Sequence, residues 1–172
     1  MKFPVLLAGC LLWAQAALAG TVTLGLNYPQ TGRYAEQGRE QHRAALMAIE
    51  EINAQGGILG QNVELATRDT RSRPKRAVAN VRSLVEEDQA VMLFGGSSSA
   101  VAIAASKEAA RHDRLYFGTL TYSNATTGKE GHRYMFRETY NAWMAAKVLA
   151  KTLNKAHQDQ RFFYITADYT WG

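Results

Sequence analysis

The stretch VMLFGGSSSAVAIAASK, Val91–Lys107, decides the fold. An apolar run of strand length ends at Gly95–Gly96, three serines follow, and an alanine-rich helical run begins near Ala100. A strand that leaves through glycines into a polar turn and then a helix is one unit of strand–helix alternation. The same alternation extends in both directions. Upstream, Val22–Leu26 reads as a strand and Ala35–Gln55 as a helix, with Ala45, Met47, Ala48, Ile49 and Ile52 on its buried face. Gly56 and Gly57 end that helix. Asn62–Asp69 is a strand, and Pro74 opens a helix that turns Ala77, Val78, Val81, Leu84 and Val85 inward. The central strand itself spans Ala90–Phe94, and its helix Ala100–Arg111. Downstream lie strands at Leu115–Thr119 and Tyr134–Phe136, a helix at Ala142–Leu153 and a last strand at Arg161–Thr166.

This order predicts an α/β fold: a parallel sheet flanked by helices on both faces. In such sheets ligands bind outside the carboxyl ends of the strands, where the strand order reverses. Four loops then hold the candidate site: Asn27–Tyr34, Gly95–Ala100, Gly118–Asn124 and Ala167–Gly172. The chain stops at ADYTWG, where a strand has ended and no helix follows, so we expect a fragment or truncated product of a longer protein.

The 172 residues are 47% hydrophobic and 20% charged, enough for one domain of ordinary size. The first twenty residues differ from the rest. Lys2 precedes an apolar run from Phe3 to Leu18, and Ala17-Leu18-Ala19 offers small residues before a cut ahead of Gly20. This pattern predicts a secretory signal peptide over residues 1–19, cleaved after Ala19. LLAGC, Leu6–Cys10, resembles a lipoprotein cleavage box, but the apolar core before Cys10 is too short, so cleavage after Ala19 is favoured. Cys10 then leaves with the leader, and no disulfide, thiol nucleophile or thiolate metal site remains. Loss of Lys2 takes the formal charge from +5 to +4, a mild excess that names no anionic partner.

The serine turn fits no phosphate or nucleophile motif. A Walker loop needs a closing Gly-Lys-Ser/Thr, whereas Lys107 lies deep in the helix. A dinucleotide fingerprint lacks its third glycine, and Ser99 stands where a nucleophile elbow needs one. None of His42, His112, His132 and His157 is spaced as a catalytic base. Two readings remain open. Ser97, Ser98 or Ser99 caps the helix, or the serines and free helix amides seat a polar ligand. RDTRSRPKR, Arg68–Arg76, is basic but has no interleaved aromatics, so it reads as a solvated loop and not a nucleic-acid patch.

Four blocks together, VTLGLNYPQTGRYAEQG (22–38), AIEEINAQGGILGQNVEL (48–65), FGGSSSAVAIAA (94–105) and ITADYTWG (165–172), resemble periplasmic solute-binding proteins of ABC importers for branched-chain amino acids, amides and urea. The resemblance implies two α/β lobes closing over a ligand. Residues 20–139 would form the ligand-binding first lobe and residues 140–172 the start of a second lobe, most of which is missing. It implies ligand contacts from Ser99 with Ser98 beside it, from Leu120, Thr121 and Tyr122, from Tyr34 at the cleft wall and from Trp171. Tyr122 stands where amino-acid binders usually have threonine or serine, which resembles the amide and urea branch. Arg73 stands where the family often places an acidic residue before this proline, weakening the helix cap. The implied function is extracytoplasmic capture of a small amide, urea-like solute or branched-chain amino acid for an ABC transporter permease. It implies no enzyme, no cofactor, no metal and no nucleic acid. A ligand-sensing domain of a receptor or regulator is the alternative.

Overall fold

A computed structural model describes residues 20–157 and 160–172. The leader assigned to residues 1–19 lies outside them. Five strands, β1 (Thr21–Tyr28), β2 (Asn62–Asp69), β3 (Met92–Gly96), β4 (Leu115–Thr119) and β5 (Met135–Arg137), form one parallel sheet in the order β2-β1-β3-β4-β5. Four helices connect or follow them: α1 (Ala35–Ala54), α2 (Pro74–Glu86), α3 (Ser99–Arg111) and α4 (Ala142–Ala156). The chain passes from β1 outward to β2 and then back across to β3, so the strand order reverses between β1 and β3. The predicted parallel α/β sheet is therefore observed.

The core lies between the sheet and the helices α2 and α3. Ala77, Val81 and Leu84 of α2 meet Leu93, Tyr116 and Val101, Ala102 and Ala105 of α3, all fully buried. Fully burying an aliphatic side chain of this size contributes about 1.5–3 kcal/mol. α2 starts at Pro74, whose fixed φ suits the first helical turn, and Arg73 at its N-cap makes no side-chain capping bond. α1 ends where expected, at Gly56 (φ +97°) and Gly57 (φ +74°). A Cβ on Gly57 would sit 1.9 Å from the Gln61 carbonyl oxygen, so this close turn accepts only glycine. Asn53 then ties the helix to β2 through both groups of one amide, Nδ2 donating to the Val63 carbonyl (2.9 Å) and Oδ1 accepting from the Val63 N–H (2.7 Å).

Two expectations need correction. Met47 was placed on the buried face of α1, yet it is 64% exposed. The stripe that faces the sheet is Ala45, Ile49 and Ile52, at i, i+4 and i+7, and Met47 at i+2 falls on the opposite side. Arg161–Thr166 was read as a last strand, but it carries no ladder. A strand needs a hydrogen-bonded neighbour, and among the described residues none lies beside it; Phe163 and Ile165 are each 90% exposed. α4 runs past Leu153 to Ala156 and buries none of its residues. It is capped by Asn141, whose side chain accepts from the Met144 N–H at 2.8 Å.

Candidate functional site

Loops at the carboxyl edge of the sheet converge with the 165–172 segment, and the geometry begins with β3. Gly95 (φ +132°) lets β3 lie directly against β1; a Cβ there would sit 2.2 Å from the Asn27 carbonyl oxygen. Ser97 follows in a left-handed conformation (φ 64°), uncommon for a residue with a side chain. It is held by its N–H donating to the Thr119 carbonyl (3.2 Å) and by Gln41 Nε2 donating to its hydroxyl. Gln41 in turn accepts from the Thr119 hydroxyl at 2.5 Å, so one glutamine of α1 bridges the ends of β3 and β4.

Of the two readings of the serine turn, side-chain capping is not what the structure contains. Ser98 is the N-cap of α3 in an extended conformation (φ −144°) and makes no side-chain capping bond. Ser99 is buried and its hydroxyl accepts from the Ser123 N–H at 3.0 Å, across to the loop after β4. Accepting leaves the Ser99 O–H proton free to donate elsewhere. The first amides of α3 carry the partial positive charge of a helix N-terminus with no serine side chain turned onto them.

A 370 Å³ cavity opens at this point. Tyr34, Ser99, Leu120, Tyr122 and Trp171 line it, which brings together five of the seven residues singled out from the sequence. Ser98 faces an adjoining 570 Å³ cavity instead. Thr121 faces neither; it is fully buried, with its hydroxyl toward the Gly118 carbonyl at 3.4 Å. Leu120 is left-handed (φ 51°), and that kink separates its neighbour's inward side chain from the cavity wall.

The wall is aromatic. The Tyr122 ring centre lies 4.9 Å from Tyr140 and 6.5 Å from Trp171, and Trp171 lies 6.3 Å from Tyr169. Tyr34 donates its phenolic proton to the Tyr169 oxygen at 3.4 Å, joining the loop after β1 to the 165–172 segment. Burial pushes the Tyr169 phenol up to about 12. Burial, then the neighbouring Tyr140, raises the Tyr122 phenol as well. Both rings therefore stay neutral and present hydroxyls, not phenolates, at physiological pH. The 165–172 segment is held in place by Ser123, whose hydroxyl donates to the Thr170 carbonyl at 2.7 Å.

Reading the sequence singled out none of Tyr169, Arg33 and Gln37 in this lining, while Ser97, named there with the other serines of the turn, does line it. Tyr169 and Trp171 are two apart in ADYTWG, and Gln37 stands one helical turn after Tyr34. That spacing was the available signal. No histidine or cysteine lines the cavity among the described residues, and no cluster of three metal-ligating side chains occurs among them. His132 pairs elsewhere: its Nδ1 accepts from the Tyr134 N–H (3.3 Å), which leaves the Nε2 proton to face Ser106 Oγ at 3.2 Å. That tautomer cannot take the Ser106 proton, which is directed to the Ile103 carbonyl at 3.1 Å. No helix among the described residues is long and apolar enough to cross a membrane.

Residues 21–172 match the family described as periplasmic binding protein. The Leu/Ile/Val-binding protein homolog 8 of Brucella abortus (strain 2308) is 33% identical over 165 residues, covering 91% of this chain and 40% of that protein. An amino acid binding protein of Pseudomonas aeruginosa is 40% identical over 86 residues, 50% of this chain and 23% of that protein. Among solved structures, the closed leucine-, isoleucine-, valine-, threonine- and alanine-binding protein of Brucella ovis superposes with a TM-score of 0.79 at 26% identity, covering 89% of this chain and 41% of that one. The chain thus spans at most about two-fifths of the length of these relatives.

Proposed function

The chain belongs to the periplasmic binding protein family, and from that premise we propose that it forms the ligand-capturing first lobe of an extracytoplasmic solute-binding protein serving an ABC importer. On this reading residues 1–19 are a cleaved export signal, residues 20–139 are the first lobe and residues 140–172 begin the second. The observation that carries it is the 370 Å³ cavity, where the start of α3 and Ser99 face Tyr34, Tyr122 and Trp171. A small solute places its polar end on the Ser99 hydroxyl and the α3 amides, and its compact body against the rings. The solute classes that suit such a seat are a short amide, a urea-like compound or a branched-chain amino acid. The relatives' names favour the last, and the tyrosine at position 122 favours the first two. A membrane permease is the partner this role requires.

Capture needs no covalent step. Neutral hydroxyls and helix amides bind by hydrogen bonds, which strengthen as closure excludes water. The sensor reading uses the same cavity and differs only in what receives the signal. Calorimetry on the 172-residue chain with leucine, isovaleramide and urea tests the proposal. We expect saturable heat with at least one of them, and a loss of roughly tenfold or more in affinity for Ser99→Ala and Tyr122→Ala. Absence of heat with all three, with no effect of either substitution on thermal stability in their presence, would overturn it.

A further inference from the structure

The 570 Å³ cavity beside the aromatic one shares Arg33, Tyr34, Ala167 and Tyr169 with it, but its remaining walls are polar and basic. The loop after β2 supplies Arg71 and Arg73, the start of α3 supplies Ser98, and the 165–172 segment supplies Asp168. These are the arginines of RDTRSRPKR, which the sequence alone left as a solvated loop.

That loop is built, not free. Arg71 and Ser72 are both left-handed (φ 49° and 56°), a costly pair of conformations for residues with side chains. Asp69 holds Arg71, its Oδ1 accepting from the Arg71 N–H (2.9 Å) and the Thr31 N–H (3.1 Å) and its Oδ2 from the Thr31 hydroxyl (2.6 Å), while the Thr70 hydroxyl accepts from the Ser72 N–H (3.2 Å). The Ser72 hydroxyl accepts from the Tyr34 N–H at 3.3 Å. The loops after β1 and β2 are thereby pinned together, with their arginines toward one cavity.

Charge balance then decides what the cavity suits. Arg71 has a partner, with its Nε 3.6 Å from Asp69 Oδ2. Arg33 and Arg73 have no carboxylate within 4.0 Å among the described residues. The Arg33 guanidinium instead lies over the Tyr34 ring, 5.6 Å from its centre, at the border of the two cavities. Ser98, 8% exposed, adds a hydroxyl that is not spent on capping α3. Two guanidiniums without acidic partners, a free hydroxyl and the N-terminal end of α3 outweigh the single Asp168 carboxylate. The planar fork of arginine matches a carboxylate.

We infer that this compartment is an anion subsite, and that the captured solute is an organic acid of net negative charge. Its carboxylate lies at Arg33 and Arg73, and its apolar body lies among Tyr34, Tyr122, Tyr169 and Trp171. The inference rests on the capture reading above and narrows it: a neutral amide or a urea offers the two arginines no carboxylate, and a zwitterionic amino acid brings an ammonium together with its carboxylate.

The test uses probes matched in shape and differing in charge. Isovalerate and benzoate are compared with isovaleramide, benzamide and leucine, by calorimetry on the 172-residue chain and on the Arg33→Gln/Arg73→Gln double variant. Arg43→Gln, on the far part of α1, is the control. We expect a carboxylate probe to bind roughly tenfold or more tightly than its amide, and the double variant to erase that difference while Arg43→Gln leaves it intact. Independently of any variant, phenylglyoxal labelling read by peptide mass spectrometry should show Arg33 and Arg73 protected by the carboxylate and not by the amide. Equal affinity for acid and amide, a preference that survives the double variant, or labelling unaffected by carboxylate overturns the inference. If leucine or an amide binds in a Ser99-dependent way without charge preference, the anion subsite falls and solute capture stands. If none of the five probes binds or protects, both fall.

Discussion

Ser99 and Ser123, twenty-four positions apart, are joined by a buried hydrogen bond in which the Ser123 N–H donates to Ser99 Oγ at 3.0 Å. The Ser123 hydroxyl in turn donates to the Thr170 carbonyl at 2.7 Å. One serine of α3 therefore positions the loop after β4, and that loop positions the segment carrying Tyr169 and Trp171. The polar end and the aromatic wall of the cavity are set by the same short relay.

Ser99→Ala removes an acceptor and leaves a buried amide unpaired, which costs about 1–3 kcal/mol. Ser123→Ala keeps the backbone bond to Ser99 but loses both the contact with Thr170 and the bond its hydroxyl accepts from the Ala125 N–H at 3.1 Å, so it too costs about 1–2 kcal/mol. Denaturant unfolding should show both variants destabilised. Tryptophan emission should shift red in Ser123→Ala as Trp171 becomes more exposed. Wild-type stability and emission in Ser123→Ala would remove the relay.

Gly95 pairs with Asn27 at the carboxyl end of β3, at φ +132° and with the Asn27 carbonyl oxygen 2.2 Å from any Cβ. Asn27 cannot retreat, because its side chain is committed at both ends: Nδ2 donates to the Ala77 carbonyl and Oδ1 accepts from Asn80 Nδ2, each at 2.9 Å. Gly95→Ala should cost more than about 2 kcal/mol and lower Tm accordingly. A variant with unchanged Tm would contradict this packing.

His132 makes stability fall in mild acid. Burial first, and the charge of Lys107 second, lower its pKa below the ordinary 6.5, so the folded state favours neutral imidazole. The unfolded chain gains its proton first as pH drops. The stabilisation is complete above about 6.5 and is lost as pH falls through the lower folded value. Tm should therefore decline between pH 7 and 5, and His132→Gln should flatten that window. Carboxylates act further down: hydrogen bonding by Arg82, against the opposing effect of burial, lowers the Glu108 pKa, and its contribution is lost in stronger acid. A wild-type Tm constant from pH 7 to 5 would exclude the His132 account.

Apolar side chains of α4 and the segment after it lie open: Trp143 is 57% exposed, Val148 67%, Leu149 56%, Phe163 90% and Ile165 90%. A patch of this kind promotes association. Sedimentation velocity on the 172-residue chain should show concentration-dependent self-association, relieved by Val148→Glu/Leu149→Glu. A monodisperse monomer across the concentration series would refute it.

Much of the fold was legible because alternation, glycine stops and Pro74 act locally. The period-two and period-3.6 patterns of this chain do not conflict, so strand and helix positions at residues 21–119 follow from neighbours a few positions apart. Met47 was misplaced because a run of apolar residues conceals which side of a helix meets the sheet. Arg161–Thr166 was misread because a strand is completed by its neighbour, not by its own composition.

Local chemistry in the chain was enough to imply the parallel sheet and the edge where a ligand would bind, while the choice of Ser99, Tyr34, Tyr122 and Trp171 came from the family resemblance. Packing alone turned Thr121 inward, brought Tyr169 against Tyr34 and gathered Arg33 with Arg73 at one cavity. The Tyr34–Tyr169 contact spans 135 positions and the meeting of Arg33 with Arg73 spans 40; the left-handed turns at Arg71 and Ser72 are held locally by Asp69 and Thr70, and the one at Ser97 by Gln41 and Thr119. No periodicity in the sequence encodes a bond of that range.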